Sequence, residues 1–543
     1  MHQKIRPVSL NFCAFLCLFV AILSGCAKRE TAVQSGNREQ VLHCGIGSEV
    51  GDLDPQLAAN IAEGDIASAL FEGLVAEDPV DLHPVPGVAE SWEISPDQLS
   101  YLFHLRANAR WSNGETVTAQ DFVASWRRIL TPSLGASNAD LLHLIQGAEG
   151  FHQGLTKDFA SVGVTAVDAR TLRVRLEHPA PYFLSLLTNP VWSPVPVAVI
   201  AANGPLGERG NRWARAGSLV GNGPFTLKSW EPNQRIIVEK SRTYWDAANV
   251  RLTAINFYPI DSGDAEERAF RSGQLHVTYV LPFGKIEAYR RDAPQFLRTD
   301  PYLNTYFLRL NLRRPPFGDE RVRRALSEAV DRTAIVEKIL HGGQLAATAI
   351  TPAGLPGYTP PPGLPTDFAA ARRLLAEAGY PGGKGLPPVE LLYNTSDNHR
   401  TIAEAVQEMW RRELGLEVRL VSEEFKGVLN ERRTGNYQIL LSDWVGDYVD
   451  PATFLDLWRS DSGNNHTGWS SPAYDSLLFA AARTADPAGR FRLLQQAEAL
   501  MLGAAPVIPL YYNTHVFLLQ PSVKGWHPTL LDHHPYKHVW LEE

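Results

Sequence analysis

Cysteine is scarce in this 543-residue chain and poorly placed for cross-linking. Cys13, Cys17 and Cys26 lie near the start, and only Cys44 follows them. A body with one thiol forms no internal disulfide and no cysteine metal cluster. Enzyme signatures are missing as well. His143, His466 and His515 are dispersed, with no His-Glu-x-x-His pair for zinc. There is no Gly-x-Ser-x-Gly elbow, and the acid pairs Glu423-Glu424 and Asp261 with Asp264 stand at surface-like spacings. Gly221-Asn222-Gly223-Pro224-Phe225 lacks the lysine and serine of a phosphate loop and reads as a turn entering a strand. An exported hydrolase therefore stands only as a distant alternative. A net charge of −8 argues against a nucleic-acid surface, and the arginines of the helix expected over 320–326 read as a solvated face. No internal repeat is visible. The one long apolar run, residues 12–23, is too short to cross a bilayer.

What is present is a globular composition, 44% hydrophobic and 20% charged, on a chain long enough for two or three domains. His2, Lys4 and Arg6 precede the apolar run, which ends in Leu23-Ser24-Gly25-Cys26. Residues 1–25 read as an export signal, and its end looks like a bacterial lipobox, so Cys26 is expected to carry lipid. Residues 26–39 are polar and read as a tether.

Local patterning supplies the elements. A first strand is expected over 41–49 and a helix over 66–74. Tyr101, Phe103 and Leu105 alternate with more polar neighbours, as in a strand with one buried face. Asn113-Gly114 makes a tight turn, and Thr118 with Asp121 forms a capping box that starts a helix near Ala119. Residues 351–365 read as a loop, 369–379 as a helix closed by glycine, and 389–394 and 417–421 as strands. The run 437–441 is a buried strand leading into Trp444, Gly446, Asp447 and Pro451. Asp447 there has three local readings: a turn former, a cap for the helix from Ala452, or a buried anion awaiting a cation.

Two stretches carry a family resemblance. One is Phe71-Glu72-Gly73-Leu74-Val75 with Pro86-Gly87-Val88-Ala89-Glu90-Ser91-Trp92 and Trp111-Ser112-Asn113-Gly114. The other is residues 437–451 with Thr453-Phe454-Leu455 and residues 460–465. They resemble the periplasmic oligopeptide-binding proteins of peptide importers, in the peptide and nickel class of extracellular solute-binding proteins. The resemblance runs nearly to the C-terminus. It implies an α/β, two-lobed periplasmic-binding-protein fold (type II, cluster C) with an extra inserted domain, discontinuous lobes and a two-crossing hinge. Matching segments puts one lobe at 40–71, 197–302 and 515–543, the inserted domain at 72–196, and the other lobe at 303–514. The crossings would fall near Pro301-Tyr302 and Asn513-Thr514.

The same resemblance implies a function. A lipid-anchored receptor would hold an extended oligopeptide between its lobes and deliver it to an ABC permease in the inner membrane. Within the fold, a murein peptide, a nickel or haem complex, or an oligosaccharide is the alternative ligand. Asp447 would pair with the peptide's ammonium group. The backbone of Trp444, Val445 and Gly446 would pair one peptide edge, and the segment from Ala59 to Ile61 the other. Arg432 and His399 would be the cations for the carboxylate end, although locally Arg432 reads equally as a helix-end charge and His399 as surface. Phe425 and Tyr279 complete the expected wall. Three departures stand out: Leu441 where the better-known receptors carry Arg, Ala59 where they carry Glu, and Asn304 with Val445 where they carry a cysteine pair. No cofactor, metal or nucleic-acid partner is expected, and the receptor would be a monomer.

Overall fold

The computed structural model describes residues 30–543 apart from Ala59, with the side chains of Asp397 and Lys426 also left out. The signal segment, Cys26 and Ala59 therefore lie outside the described residues. Within them, no helix is long and apolar enough to cross a membrane.

The first element corrects the tether. Residues 32–39 are not an extended linker but a helix, α1 (Ala32–Glu39), opened by a capping box in which Thr31 Oγ1 accepts from the Gln34 N–H at 3.2 Å and Gln34 Oε1 accepts from the Thr31 N–H at 3.0 Å. It packs on the body: the Val33 N–H donates to Gly273 O at 2.9 Å, and Gly36 is buried where a Cβ would stand 2.4 Å from Val41 O. Polar composition hid this, because a two-turn helix needs only its cap and a docking surface.

Strand β1 (Val41–Gly45) stops four residues before the expected end. Helix α2 (Ile61–Leu70) starts earlier than expected, since Asn60 caps it by accepting from the Glu63 N–H at 3.0 Å. A hairpin of β2 (Val75–Glu77) and β3 (Pro84–Pro86) leads to β4 (Ala89–Ile94) and β5 (Ser100–Leu105). Burial along β5 alternates strictly, as its sequence requires. Helix α3 (Ala119–Ile129) opens as expected, with Asp121 Oδ2 accepting from the Thr118 N–H at 2.7 Å. Its apolar face covers a four-stranded sheet, β4-β5-β7-β6, completed by β6 (Val164–Asp168) and β7 (Thr171–Arg175). Phe103, Phe122, Trp126, Leu172 and Trp192 form the core of this first body.

A second body is built on the sheet β1-β10-β9-β8, from β8 (Phe225–Glu231), β9 (Arg235–Lys240) and β10 (Ala254–Tyr258). The third is a six-stranded mixed sheet, β12-β16-β11-β15-β13-β14. It comprises β11 (Leu297–Leu310), β12 (Leu345–Ala346), β13 (Val389–Asn394), β14 (Val418–Glu423), β15 (Ile439–Val445) and β16 (Val507–Leu518). Around it lie α4 (Glu320–Glu328), α5 (Asp397–Leu414), α6 (Phe425–Thr434), the short α7 (Ala452–Leu455) and α8 (Pro487–Ala504). The arginines of α4 are not all solvated, as the sequence suggested. Arg323 is buried and donates to Ala504 O at 2.9 and 2.7 Å and to Phe317 O at 2.9 Å. Two of its donors meet the last carbonyl of α8, Ala504 O, which has no partner within the helix.

Strands β11 and β16 belong to both halves of this two-lobed α/β fold. At one end Val516 and Leu518 pack with Phe270, Leu275 and Ile286. At the other, Leu308, Leu310, Ile508 and Leu510 lie in the core of the six-stranded sheet. Between the ends the antiparallel pairing breaks, passing from Pro301 opposite Thr514 to Thr305 opposite Tyr512. The site lies beside this break.

Candidate functional site

A cavity of about 1840 Å³ lies between the bodies, lined by α2, by the β15 segment through Asp447, and by the loop around Asp532. One of its walls is a strand edge. β15 pairs with β11 along its whole length, but β13 keeps register with it only at Ile439 and Leu440. From Leu441 to Val445 the other edge has no strand partner among the described residues. Backbone donors and acceptors there need a partner once water leaves.

Just past this edge the chain turns sharply. The Gly446 N–H donates to Leu303 O at 2.8 Å, and a Cβ on Gly446 would stand 2.6 Å from Leu303 Cδ2. Glycine allows that close approach. Asp447 follows, half-buried. Its N–H donates to Thr453 Oγ1 at 2.9 Å, and among the described residues its carboxylate accepts only from that hydroxyl, at 3.4 Å. Nor does Asp447 cap the next helix: the Ala452 N–H donates to Asp450 Oδ1 at 2.9 Å, and the charge of Asp450 is met by both terminal nitrogens of Arg490 at 2.7 Å. Asp447 has no cation in contact among the described residues. Burial pushes its carboxyl up to about 7, with Asp140 adding to the rise and the Thr453 hydroxyl opposing it.

Arg432, in the last turn of α6, lines the cavity and is half-buried rather than solvated. Burial lowers its pKa against the pull of Tyr437 and Asp443, and its Nε is buried without a partner. His399 also lines the cavity. Its Nδ1 meets Asn394 Oδ1 at 2.5 Å and its Nε2 meets the Tyr306 hydroxyl at 3.3 Å. The surface reading of this residue is thus replaced by a half-buried one. Burial lowers its pKa despite Asp443 and Asn394, so near neutral pH the ring is an uncharged hydrogen-bonding group and not the expected cation. Ile61 and Phe425 stand on the wall with 40% and 61% of their surface exposed, as apolar groups awaiting cover would. Tyr279 lies against Gly47 with its ring edge toward His515. Leu441 is buried in the sheet core.

Several wall residues escaped the sequence reading. Asp65 is one turn along α2 from Ile61, so helical spacing from Ile61 leads to it. Asp443 is two residues from Val445, which puts both on one face of β15. His515, Asp532 and His533 carried no local signal, because chain return from distant segments brings them together. His515 Nδ1 lies 2.7 Å from Asp532, and His533 Nδ1 lies 2.9 Å from Glu77. Burial opposes both imidazolium ions, but the facing carboxylates win and raise each pKa to about 9. Asp532 is held well below the usual carboxylate range, since His515 and His534 overcome the effect of its burial. Asp78, Asp81 and His83 come within ligand distance of one another on the β2–β3 hairpin, but Asp81 is already engaged by the His83 ring at 2.6 Å.

Comparison with known proteins agrees with this architecture. The family model for bacterial extracellular solute-binding proteins, family 5, matches residues 83–466. The periplasmic oligopeptide-binding protein OppA of Escherichia coli is 38% identical over 500 residues, covering 88% of each chain. The structure of the Escherichia coli murein tripeptide binding protein MppA superposes with a TM-score of 0.85 at 35% identity, covering 93% of this chain and 98% of the other. The unliganded open form of MppA gives only 0.72 at the same 35% identity and 93% coverage of this chain, with 97% of the other chain covered. The lobes here are therefore set unlike those of that open form. These relatives are binding proteins, in agreement with the reading that preferred a binding protein to an exported hydrolase. The chain belongs to family 5 of the bacterial extracellular solute-binding proteins.

Proposed function

We propose that this protein is a receptor for oligopeptides, which it holds extended along β15 between its lobes and passes to an ABC-type permease. One observation carries the reading: an unpaired strand edge that ends in a carboxylate lacking a cation. A peptide with a free amino end supplies what each lacks. Its backbone adds a strand to Trp444, Val445 and Gly446, and its ammonium group meets Asp447. The pairing is favourable because the carboxylate already bears the cost of burial before the ligand arrives. Arg432 receives the carboxylate end, with His399 as a neutral hydrogen-bonding group, and Ile61, Phe425 and Tyr279 flank the variable side chains. OppA and MppA, both named as peptide-binding proteins, support the same ligand class.

The lobes in this reading are 40–71 with 197–302 and 515–543, and 303–514, with 72–196 inserted. The break in β11–β16 pairing serves as the hinge. Export and a lipid on Cys26 would hold the receptor in the cell envelope. Cys26→Ser is expected to release it to the soluble fraction with its fold unchanged, and persistent membrane association would refute the anchor.

The ligand assignment is tested by calorimetry on wild type and Asp447→Asn, each with a free and an N-acetylated peptide. Deleting either charge is expected to cost about 2–5 kcal/mol, and deleting both little more than deleting one. Equal binding of acetylated and free peptide by the wild type would refute it.

A further inference from the structure

We propose that residues 341–344 form a stop behind the hinge that limits how far the lobes open; this goes beyond the peptide reading and rests only on its division into lobes. The segment belongs to the third body at both ends. Leu340 before it is fully buried in the core of the six-stranded sheet. After it, Leu345 and Ala346 pair with Tyr512 and Tyr511 as β12, and the Ala347 N–H donates to Leu510 O at 3.1 Å. Between these ends the segment leans on the other lobe. Arg290 Nη2, on the helix Phe283–Asp292, donates to His341 O at 2.9 Å, and the Thr514 hydroxyl donates to Gly342 O at 2.6 Å. That helix is fixed through Ile286, which shares a core with Val516 and Leu518.

Strand alternation shows on which side of the hinge the segment lies. His515 faces the cavity, so its neighbours Thr514 and Val516 on β16 face away from it. Thr299 is paired opposite Val516 and shares its face. The segment touches these outward side chains. A Cβ on Gly342 would stand 3.0 Å from Val516 Cγ2, and one on Gly343 3.1 Å from Thr299 Cγ2. Neither Arg290 nor any residue from His341 to Gln344 lines the cavity.

The fit leaves no slack. The chain leaves a π-helical turn, Val336–Leu340, through His341 at φ +56° and turns again at Gly343 with φ +84°, where a side chain would be strained. Gln344 closes the turn, its Oε1 accepting from the Gly342 N–H at 2.9 Å. Rotation about a hinge moves its two sides in opposite senses. Opening on the cavity side narrows the gap behind, where residues 341–344 already touch Val516 and Thr299. Wider opening must displace the segment, and Arg290 and Thr514 hold it in place. The stop therefore acts on the open state and leaves the closed one alone.

Spin labels on one introduced surface cysteine in each lobe, the native Cys44 being buried, report inter-lobe distances in the full chain without ligand. Arg290→Gln and Thr514→Val each remove a tie. Each is expected to lengthen the distances, the most open molecules rising roughly fivefold, as loss of one hydrogen bond would give. Gly342→Ala thickens the stop with a methyl group against Val516 and is expected to shift the distances the other way, toward the closed value. Misfolding would not move the two kinds of variant in opposite directions. With saturating tetra-alanine all three are expected to share the closed distance of the wild type. Unliganded distances that stay unchanged in all three variants, or shift the same way in all, would overturn the stop. If tetra-alanine and longer peptides close none of these proteins, the peptide reading fails instead, and the unliganded distances still decide this proposal.

Discussion

Asp447 and Asp532 line the same cavity and have opposite titration behaviour. Asp532 is enclosed by His515 and His534, which hold its carboxyl far down, while burial with only a hydroxyl for company carries Asp447 up to about 7. Within one cavity, burial alone therefore says little about role. What separates them is whether the fold itself supplies the counter-charge. Glu498 sharpens the point. Burial carries it to about 7 as well, yet it accepts from the Ile350 and Thr351 N–H groups and the Tyr358 hydroxyl inside the third body, away from the cavity. Glu498 fastens a loop to α8. A raised carboxyl identifies a ligand site only when its partners are missing and a cavity adjoins it.

The contrast is broken most forcefully by deleting Asp532. Asp532→Asn leaves the buried His515 facing no carboxylate at its Nδ1, and a loss of about 3–5 kcal/mol of stability is expected in denaturant titration without ligand. Asp447→Asn, measured the same way, is expected to leave stability unchanged or slightly raised, since it removes a buried charge that nothing repays. If both variants are equally destabilised, the distinction fails.

Acid and base separate the two groups next. The folded-state pKa of Asp532 lies below its unfolded value, so its contribution is present above the unfolded carboxylate range and lost as pH falls through the folded value. His515 has a raised folded pKa, so its contribution is complete below about 6.5 and fades as pH rises through about 9. The difference in unfolding free energy between wild type and Asp532→Asn is expected to be largest between about pH 4 and 6.5 and to shrink on either side. Asp447 titrates in between and, in the proposed reading, acts on binding. A ligand ammonium favours the carboxylate, so binding below about pH 7 must expel a proton. Peptide affinity is expected to rise between pH 5.5 and 8 in the wild type and to lose that rise in Asp447→Asn. A flat profile in the wild type would remove Asp447 from the ammonium site.

Thr453→Val is expected to have the smallest effect. It deletes the hydrogen bond from the Thr453 hydroxyl to Asp447 together with the acceptor of the Asp447 N–H. About 1 kcal/mol in peptide affinity is expected. A loss as large as that of Asp447→Asn would mean that the hydroxyl, rather than the charge, organises the corner.

Legibility in the sequence followed the range of the interactions. The alternation in β5, the Thr118–Asp121 cap and the strand leading to Asp447 depend on neighbours in the chain and are visible there. Composition does not mark helix α1 or the start of α2, because a single cap residue, Thr31 or Asn60, outweighs it. Asp65 was within reach, one turn from Ile61, but helical spacing does not say which face meets a cavity. The His515–Asp532 and His533–Glu77 pairs join segments far apart in the chain, and no local pattern marks them. His399 shows the limit of reading charge from residue type, since the same imidazole is a cation in water and a neutral hydrogen-bonding group when half-buried beside Asn394 and Tyr306.

The residue after Asp447 ties this corner to the first body. Tyr448 stacks on Tyr182 with centroids 4.6 Å apart and planes 10° from parallel, the Arg490 guanidinium lies 5.4 Å from the Tyr182 ring, and Tyr448 with Ala452 is buried in the core that holds Phe103 and Trp126. Its consequence is kinetic. In the proposed reading, separating the bodies must part these rings, so the stack adds to the barrier that a ligand held at Asp447 meets on leaving. Replacing Tyr182 with leucine is then expected to speed dissociation more than it slows association.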